Sequence, residues 1–423
     1  MMLKKQSLTW HWYTVGLLWT AGICAAMQFA KMSIGLKALQ DALGTDATSI
    51  SALMAATGLF GLLFGVGGAS ISDALGLRRV LLYSIFAAAI FSFAESFIPQ
   101  FIPFYGLRLL EGVTNLFIVV AAPTLIAVYA PPRHIAIAMG LWGSFYGVAF
   151  ALTGLAGPTL ISNFGATGLL AAHSLLALVI ALLLVTHRLP GLEKTKNIDD
   201  AKKVQTVFAN QIHTVIRAYK NARTALPGLI FLFHSSLYLG LLIFVPLSAQ
   251  DGAARDILLV SMPLVSIAAT LLAGPLSQVL PISTVLTTGF LLEIGAASLL
   301  IPATESNASI VTYNLLANGL MLISGVLQGS IFILVPKLAS NSREEALAFG
   351  VIAQLGSLGS IVGPMAFATS ITHGGIVGFA ALVAIGAIAG ALISFIGLRR
   401  SISRLGSSGK SDSISNEEAS HEC

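Results

Sequence analysis

Long apolar runs alternate with short polar breaks along almost the whole chain of 423 residues. A helix needs about 20 mostly apolar residues to cross a bilayer, and runs of about that length occur twelve times. Turns rich in proline, glycine or charge separate them. The pattern therefore predicts an all-α polytopic membrane protein with twelve transmembrane helices. The predicted spans lie near 12–36, 48–71, 79–98, 102–128, 135–162, 166–187, 224–248, 256–277, 283–303, 309–335, 345–371 and 375–398.

The longest polar interval, residues 190–223, follows the sixth predicted span and is rich in acidic and basic side chains. It divides the spans into two groups of six. The last residues are rich in serine, glycine and glutamate, a composition that favours disorder. The sequence therefore predicts an N-terminal six-helix bundle at 1–189, a cytoplasmic linker at 190–223, a C-terminal six-helix bundle at 224–398 and a disordered cytoplasmic tail at 399–423.

The composition excludes a soluble domain, because only 10% of the residues are charged, whereas soluble domains carry about 25%. If both termini are cytoplasmic, all but four of the 23 Lys and Arg residues fall in cytoplasmic segments, as the positive-inside rule requires. The positive net charge therefore indicates membrane orientation and not nucleic-acid binding. Together with the short loops, it predicts a multi-pass protein of a cell inner membrane. The four exceptions are Lys31, Lys37, Arg108 and Arg255.

A short polar break after the second span carries one acid and two arginines. Asp73, Gly76, Arg78 and Arg79 match the last four fixed positions of the pattern G-x-x-x-D-x-x-G-x-[RK]-[RK]. The stretch resembles the loop between helices 2 and 3 of the major facilitator superfamily (MFS) of secondary transporters. The resemblance implies two pseudo-symmetric six-helix bundles, alternating access and a gating role for these four residues. Asp73 would meet the positive N-terminal end of a neighbouring helix; the alternative is that it only stabilises the local turn.

Internal repetition supports two related halves. Residues 133–140 and 343–350 each begin with arginine, end with glycine and share two alanines. A Gly-Pro pair follows in each half, at 157–158 and 363–364. Parallel repeats of this kind place a substrate site at the interface between the halves, near the middle of the membrane.

Arg108 and Glu111 are ionisable residues within the fourth predicted span. Such residues are costly in a membrane and usually face a cavity; being three apart on a helix, these two share a face. The pair is either a proton site that responds when the charges separate or a permanent ion pair. The surrounding stretch resembles helix 4 of the anion:cation symporter branch, in which acids on this helix carry the coupled proton in some members. The resemblance implies that Glu111 couples to protons, although a second acidic position of that branch holds Asn115 here.

Further polar residues lie in the predicted spans. Lys31 either binds a substrate carboxylate, as a basic residue does in the same branch, or extends to the outer membrane interface. His234 either joins substrate or proton binding or forms an interhelical hydrogen bond. Glu293 is a second candidate for proton coupling, and Glu95 is predicted to be an interfacial acid. The predicted substrate-binding residues are Lys31, Arg108, His234, Gln28, Tyr146 and Tyr238.

These observations predict a transporter and not an enzyme. The sequence contains neither a phosphate-binding G-x-x-x-x-G-K-[ST] loop nor a Cys/His cluster with metal spacing, so no cofactor or metal is expected. The predicted function is proton-coupled movement of a small organic solute, with an organic anion favoured, by a monomer in the lipid bilayer. The alternatives are a proton-antiport exporter of drugs or metabolites, uptake of a neutral solute such as an amino acid or nucleoside, and a membrane sensor that transports nothing.

Overall fold

A computed structural model describes residues 7–45, 47–97, 100–187, 189, 210–249, 252–305 and 309–421. Within these ranges the chain is almost entirely helical and contains no β-strand. The helices are α1 Leu8–Ile34, α2 Leu36–Leu43, α3 Ala47–Leu75, α4 Leu77–Glu95, α5 Phe101–Tyr129, α6 Ile135–Gly143, α7 Phe145–Thr186, α8 Gln211–Lys220, α9 Ala222–Leu247, α10 Gly252–Val279, α11 Ile282–Glu305, α12 Ile310–Leu338 and α13 Ser342–His421.

Two of these helices are each divided by a glycine. Gly165 in α7 has a φ of 66° and Gly375 in α13 has a φ of 54°, a backbone conformation that glycine adopts without steric cost. Ten described helices are long and apolar enough to cross a membrane, and the two breaks turn α7 and α13 into two spans each. The prediction of an all-α fold with twelve transmembrane helices is therefore confirmed.

The two halves pack their helices in the same way. In the N-terminal half, α5 packs against α3 and α4, and α7 packs against α1 and α4. In the C-terminal half, α12 packs against α10 and α11, and α13 packs against α9 and α11. Each pair in one half thus has its counterpart in the other, as the internal repetition of the sequence predicts.

Glycines bring the two halves into close contact at two helix crossings. Where α3 crosses α13, a Cβ atom on Gly350 would lie 2.6 Å from the carbonyl oxygen of Gly65. Where α6 crosses α10, a Cβ atom on Gly274 would lie 2.9 Å from Cα of Ile137. Because glycine has no side chain, it permits two helices to approach this closely. Both crossings lie toward the end of the molecule that contains the α3–α4 turn, and they hold the halves together there.

Gly76 forms the turn between α3 and α4. Its φ of 95° again favours glycine, and its amide donates a hydrogen bond to the carbonyl oxygen of Ser72 at 3.0 Å. The end of the molecule that contains this turn is named the Gly76 end. The opposite end, where Gly35 separates α1 from α2, is named the Gly35 end.

The predicted domain boundaries can be compared with the helix ends. α9 begins at Ala222, where the sequence places the start of the C-terminal bundle at residue 224. Residues 190–209 of the predicted linker lie outside the described residues, and α8 occupies most of the remainder. The last helix continues to His421, through the tail for which the composition predicts disorder.

Candidate functional site

A cavity of about 1110 Å³ lies between the two halves. Its lining residues lie in the middle of their helices and toward the Gly35 end, so the cavity faces that end while the glycine crossings close the other. Aromatic side chains from both halves form much of the wall. They are Phe29, Trp142, Phe145, Tyr146 and Phe150 from the N-terminal half and Phe231, Tyr238, Phe332 and Phe349 from the C-terminal half.

A few polar side chains interrupt this aromatic wall, among them Asn115, His234 and Gln328. The ring of His234 lies 5.6 Å from the ring of Tyr238. The side-chain amide of Gln328 donates a hydrogen bond to the carbonyl oxygen of Gly143 at 2.9 Å and so links the halves. Among the residues that the structure describes, no Asp, Glu, Lys or Arg lines the cavity. An apolar pocket with a few polar groups is suited to an organic molecule with a ring or alkyl body and few polar substituents.

Four of the ionisable residues in the predicted spans meet elsewhere, inside the N-terminal half. Lys31, Glu95, Arg108 and Glu111 are each at most 2% exposed and are named the charge cluster. The Lys31 ammonium donates to Oε2 of Glu95 at 2.8 Å and to Oε1 of Glu111 at 2.7 Å. The Arg108 guanidinium bonds to the other oxygen of Glu111, and its Nη1 lies 3.6 Å from Oε1 of Glu95. The two positive and two negative charges therefore cancel one another in the interior of the N-terminal half, away from solvent.

Backbone and hydroxyl groups fix the Arg108 side chain. Its Nη2 donates to the carbonyl oxygen of Gln28 at 2.8 Å and to the hydroxyl of Thr57. The side-chain amide of Gln28 donates to the hydroxyl of Thr114 at 3.0 Å. These bonds join α1, α3 and α5 around the guanidinium.

Ser92 and His173 complete the surroundings of Lys31. The Lys31 ammonium donates to the Ser92 hydroxyl at 2.9 Å, which donates to the carbonyl oxygen of Leu170 at 3.0 Å. Nδ1 of His173 lies 2.9 Å from the Ser92 hydroxyl, and its Nε2 lies 3.0 Å from the carbonyl oxygen of Cys24. The charge cluster is thus held by α1, α3, α4, α5 and α7 together.

The position of the charge cluster corrects the sequence-based expectations for four residues. Lys31, Arg108 and Gln28 do not line the central cavity in this conformation, and Glu95 is buried in a salt bridge with Lys31 instead of lying at the membrane interface. The reason is that a buried charge is tolerated when opposite charges and hydrogen-bond partners surround it, and the neighbouring helices supply both. The predicted substrate-binding residues that do line the cavity are His234, Tyr146 and Tyr238.

Matching positions along the helices explain why these charges meet. Lys31 is three residues from the end of α1 and Glu95 is the last residue of α4, both at the Gly35 end. Arg108 lies about two turns into α5, which begins at that end. Two opposite charges near helix ends on the same side of the membrane are a signal in the sequence, and it could have predicted the contact between Glu95 and Lys31. The polar residues Ser92 and His173 carry no comparable signal.

Glu293, the second candidate for proton coupling, lies in α11 of the C-terminal half. It is fully buried and does not line the central cavity. The hydroxyl of Ser324 on α12 faces it, and no described Lys or Arg lies within salt-bridge distance. Because an unpaired charge in the interior is costly, this position is compatible with a protonated carboxyl group.

The four predicted gating residues lie together at the Gly76 end. Oδ2 of Asp73 lies 3.9 Å from Nε of Arg343, the second residue of α13 in the opposite half. Arg78 and Arg79 belong to the first turn of α4, directly after Gly76. The Asp73–Arg343 pair joins the halves beside the glycine crossings. Because Arg343 is 65% exposed, the pair alone contributes little to stability.

Two matched six-helix halves around a cavity that faces one end define a secondary carrier, not an enzyme. The family model "Major Facilitator Superfamily" matches residues 18–364. This match covers most of the chain, which therefore belongs to the Major Facilitator Superfamily.

One curated relative is the 4-hydroxybenzoate transporter PcaK of Pseudomonas aeruginosa. It is 29% identical over 182 residues, which are 43% of this chain and 40% of the relative. The matched region therefore spans well under half the length of that transporter.

Solved structures of similar fold cover almost the whole chain. The proton:xylose symporter XylE bound to 6-bromo-6-deoxy-D-glucose has a TM-score of 0.70 at 15% identity, covering 93% of this chain and 96% of its own. The E. coli fucose:proton symporter FucP has a TM-score of 0.71 at 14% identity, and the match covers 92% of this chain and 99% of FucP. The human organic anion transporter MFSD10 (TETRAN) has a TM-score of 0.66 at 16% identity, and the match covers 92% of this chain and 99% of that transporter. At these identities the similarity establishes the fold.

Proposed function

We propose that this carrier takes up a small aromatic monocarboxylic acid together with protons by alternating access. The observation that carries the proposal is the aromatic cavity between the halves, which has a few polar groups and a volume of about 1110 Å³. Aromatic rings pack favourably against one another in offset and edge-on arrangements, and the few polar groups suit a single polar substituent. The partial similarity to a 4-hydroxybenzoate transporter and the proton symporters of the same fold support the same class of transport.

Tyr146, His234 and Tyr238 are the residues that we expect to contact the substrate. Tyrosine hydroxyls and an imidazole N–H can donate hydrogen bonds to a carboxylate. Since no cation is present in the described lining, removing a carboxylate from water there is costly. A proton that moves with the anion offsets this cost by making the transported charge zero. Lys31 and Arg108 then act on the substrate through their electric field and not by direct contact.

The charge cluster is the part of the molecule that would carry the coupled proton. Glu111 bonds to both Lys31 and Arg108, so a movement of α1 against α5 would change its affinity for a proton. Glu293 is a second acid for the same role, in the other half. The assignment of Glu111 requires movement within the N-terminal half, in addition to the rearrangement of the two halves that alternating access demands.

The Gly76 end would face the cytoplasm, together with both termini. Basic residues concentrate in the segments assigned to this side, as the positive-inside rule requires. Asp73, Gly76, Arg78 and Arg79 would then form part of the cytoplasmic gate of a monomer in a cell inner membrane. The central cavity would face the outside.

Transport by the purified protein in proteoliposomes tests this proposal. Labelled 4-hydroxybenzoate should accumulate when the outside is made acidic, and a protonophore should abolish the accumulation. The matched control solute is 4-hydroxybenzamide, which keeps the ring but lacks the carboxylate and should not accumulate. If no aromatic acid in a small panel accumulates under the gradient, the proposal is wrong.

The uncharged lining of the described part of the cavity favours one further candidate, which is proton-driven export of a neutral apolar compound. In that case an acidic exterior would drive solute out of preloaded liposomes that have the cytoplasmic face inside. The neutral amide or other apolar compounds would then move and the benzoate would not. A neutral solute taken up with protons would instead accumulate under the same gradient.

A further inference from the structure

A second cavity, of about 270 Å³, lies inside the N-terminal half at the Gly35 end. It is bounded by α2, the end of α4, the start of α5 and the part of α7 that follows Gly165. Its lining residues Ala42, Phe97 and Thr167 are exposed, so the cavity reaches the surface. Its lining shares no residue with that of the central cavity. It is therefore a separate route into the N-terminal half.

Glu95 is the one ionisable residue among the described residues that line this second cavity. Apolar side chains such as Leu39, Phe104 and Leu170 form most of the remaining wall. The hydroxyl-bearing residues Ser96 and Thr167 also belong to the lining. The volume is sufficient for several water molecules, which could hydrogen-bond to these polar groups. The cavity thus leads from the surface to Glu95, whose side chain itself has no solvent-accessible surface, so a proton reaches the carboxylate only when the inner end of the cavity opens.

The two acids of the charge cluster differ in how their oxygens are bonded. Both oxygens of Glu111 accept bonds from cations, one from Lys31 and the other from Arg108. In Glu95, Oε2 accepts from Lys31, whereas Oε1 accepts no hydrogen bond and lies 3.6 Å from Nη1 of Arg108. A proton on Oε1 of Glu95 shares that oxygen with no hydrogen-bond donor, whereas a proton on either oxygen of Glu111 shares it with a cation that already donates to it.

The titratable and charged groups around Glu95 come from every helix that packs against it. They are Lys31 on α1, Arg108 and Glu111 on α5, and His173 on α7, with the Ser92 hydroxyl on α4 itself. With both acids ionised and His173 neutral, the cluster has no net charge. One proton on Glu95 would leave it with a net positive charge.

We propose that Glu95 is the proton-accepting acid of the charge cluster and that the second cavity is its path for protons from the Gly35 end. This inference rests on the proposed proton coupling and replaces Glu111 with Glu95 as the acid that is protonated. The proton and the substrate then enter from the same side by separate routes.

The helix α1 connects the two routes. Lys31 belongs to the charge cluster, while Phe29 and Ser33 on the same stretch of α1 line the central cavity. A positive charge gained by the cluster therefore acts across this helix on the cavity, where it favours an anion by Coulomb attraction. Protonation of Glu95 would raise the affinity for the substrate anion, and the bound anion would in turn favour the proton.

Matched variants of the two acids test which one carries the proton. Glu95→Gln should lose accumulation driven by the pH gradient but still exchange labelled for unlabelled 4-hydroxybenzoate, because exchange needs no net proton movement. Glu111→Gln should instead impair gradient-driven uptake and exchange together, because the amide oxygen of glutamine can replace only one of the two carboxylate oxygens and its NH2 group cannot accept a bond from the other cation. Gradient-driven accumulation by Glu95→Gln at the wild-type level would overturn the inference.

A cysteine at the mouth of the second cavity tests the path without altering the fold of the starting protein. In a Cys423→Ser background, Ala42→Cys should bind a bulky maleimide added from the Gly35 side after reconstitution. Gradient-driven uptake should then slow while exchange continues. Lys37→Cys, on the exposed face of the same helix, is the control and should be labelled without effect. Equal effects, or no effect, of labelling at the two positions would contradict a path through this cavity.

Infrared difference spectra provide a readout that does not depend on transport. Acidification of the purified protein should produce the carbonyl band of a protonated carboxyl group that is missing in Glu95→Gln and present in Glu111→Gln. A band lost in Glu111→Gln instead would overturn the assignment of Glu95. If the band depends on Glu95 but no aromatic acid is transported, the proposed substrate fails while the proton site is supported.

Discussion

The ammonium nitrogen of Lys31 lies 2.8 Å from Oε2 of Glu95, and this salt bridge joins the end of α1 to the end of α4 inside the N-terminal half. Removing one partner of a buried pair leaves an uncompensated charge and costs about 3–5 kcal/mol. We therefore expect Lys31→Met to lower the thermal stability of the protein in detergent strongly.

The double variant Lys31→Met/Glu95→Gln provides the matched control, because it removes one charge of each sign and leaves Arg108 paired with Glu111. It should be more stable than Lys31→Met alone. If the effects of the two single substitutions simply add, the two residues are not energetically coupled.

The close contact of Gly65 with Gly350 makes a prediction about the closed end of the molecule. A side chain at residue 65 would overlap the carbonyl oxygen of Gly350, so Gly65→Val should separate α3 from α13 and disfavour the closed Gly76 end. Spin labels on Arg133→Cys and Val279→Cys, which lie on opposite halves at this end, should then report longer distances than in the otherwise wild-type protein.

A glycine with free space around it serves as the control for this experiment. A Cβ atom on Gly319 would meet no atom within 4 Å, so Gly319→Val should leave the distance distribution between the labels unchanged. Unchanged distances in Gly65→Val as well would show that the glycine crossing does not set the closed state.

The hydroxyl of Tyr238 makes a prediction about substrate affinity. Tyr238→Phe keeps the aromatic ring in the cavity wall but removes a hydrogen-bond donor to the proposed carboxylate. A hydrogen bond to a charged group contributes about 1.5–3 kcal/mol, so KM for 4-hydroxybenzoate should rise by about tenfold or more. Uptake kinetics measure the change. Tyr105→Phe, outside the cavity lining, should not alter KM, and an unchanged KM in Tyr238→Phe would exclude this contact.

We expect His187, just beyond the end of α7, to make the protein sensitive to acid. Its Nε2 lies 2.7 Å from the Thr14 hydroxyl. Burial, followed by the positive charge of Arg78, lowers the pKa of His187 below its ordinary value of 6.5. The unfolded chain therefore binds this proton more readily than the folded protein does. The contribution of neutral His187 to the free energy of unfolding is therefore present above pH 6.5 and is lost as the pH falls below that value.

Thermal unfolding above and below pH 6.5 measures this effect. His187→Gln should lose less stability on acidification than the wild type, because glutamine does not titrate. His213→Gln changes an exposed histidine of α8 and should behave like the wild type. Equal losses in all three proteins would mean that His187 does not contribute to the acid sensitivity.

The sequence was sufficient to predict the transmembrane helices, the two related halves and the tight turn at Gly76. Each of these features depends on local properties: the length of an apolar run, the distribution of Lys and Arg between loops, and the conformational freedom of glycine. A run of about 20 apolar residues has few stable alternatives to a spanning helix, because every backbone polar group must be satisfied within the membrane.

Tertiary structure decided the chemistry of the site. The sequence placed Lys31, Arg108 and Gln28 with the substrate, whereas the structure buries them with Glu95 in the N-terminal half and leaves the cavity to aromatic residues and His234. Neither the second cavity nor its contact with Glu95 could be predicted, because both depend on how α2 and α7 pack against α4 and α5, from which they are distant in the chain. Which face of a helix meets a cavity and which meets a neighbouring helix is set by packing between elements, and an apolar sequence with scattered polar residues does not encode that choice locally.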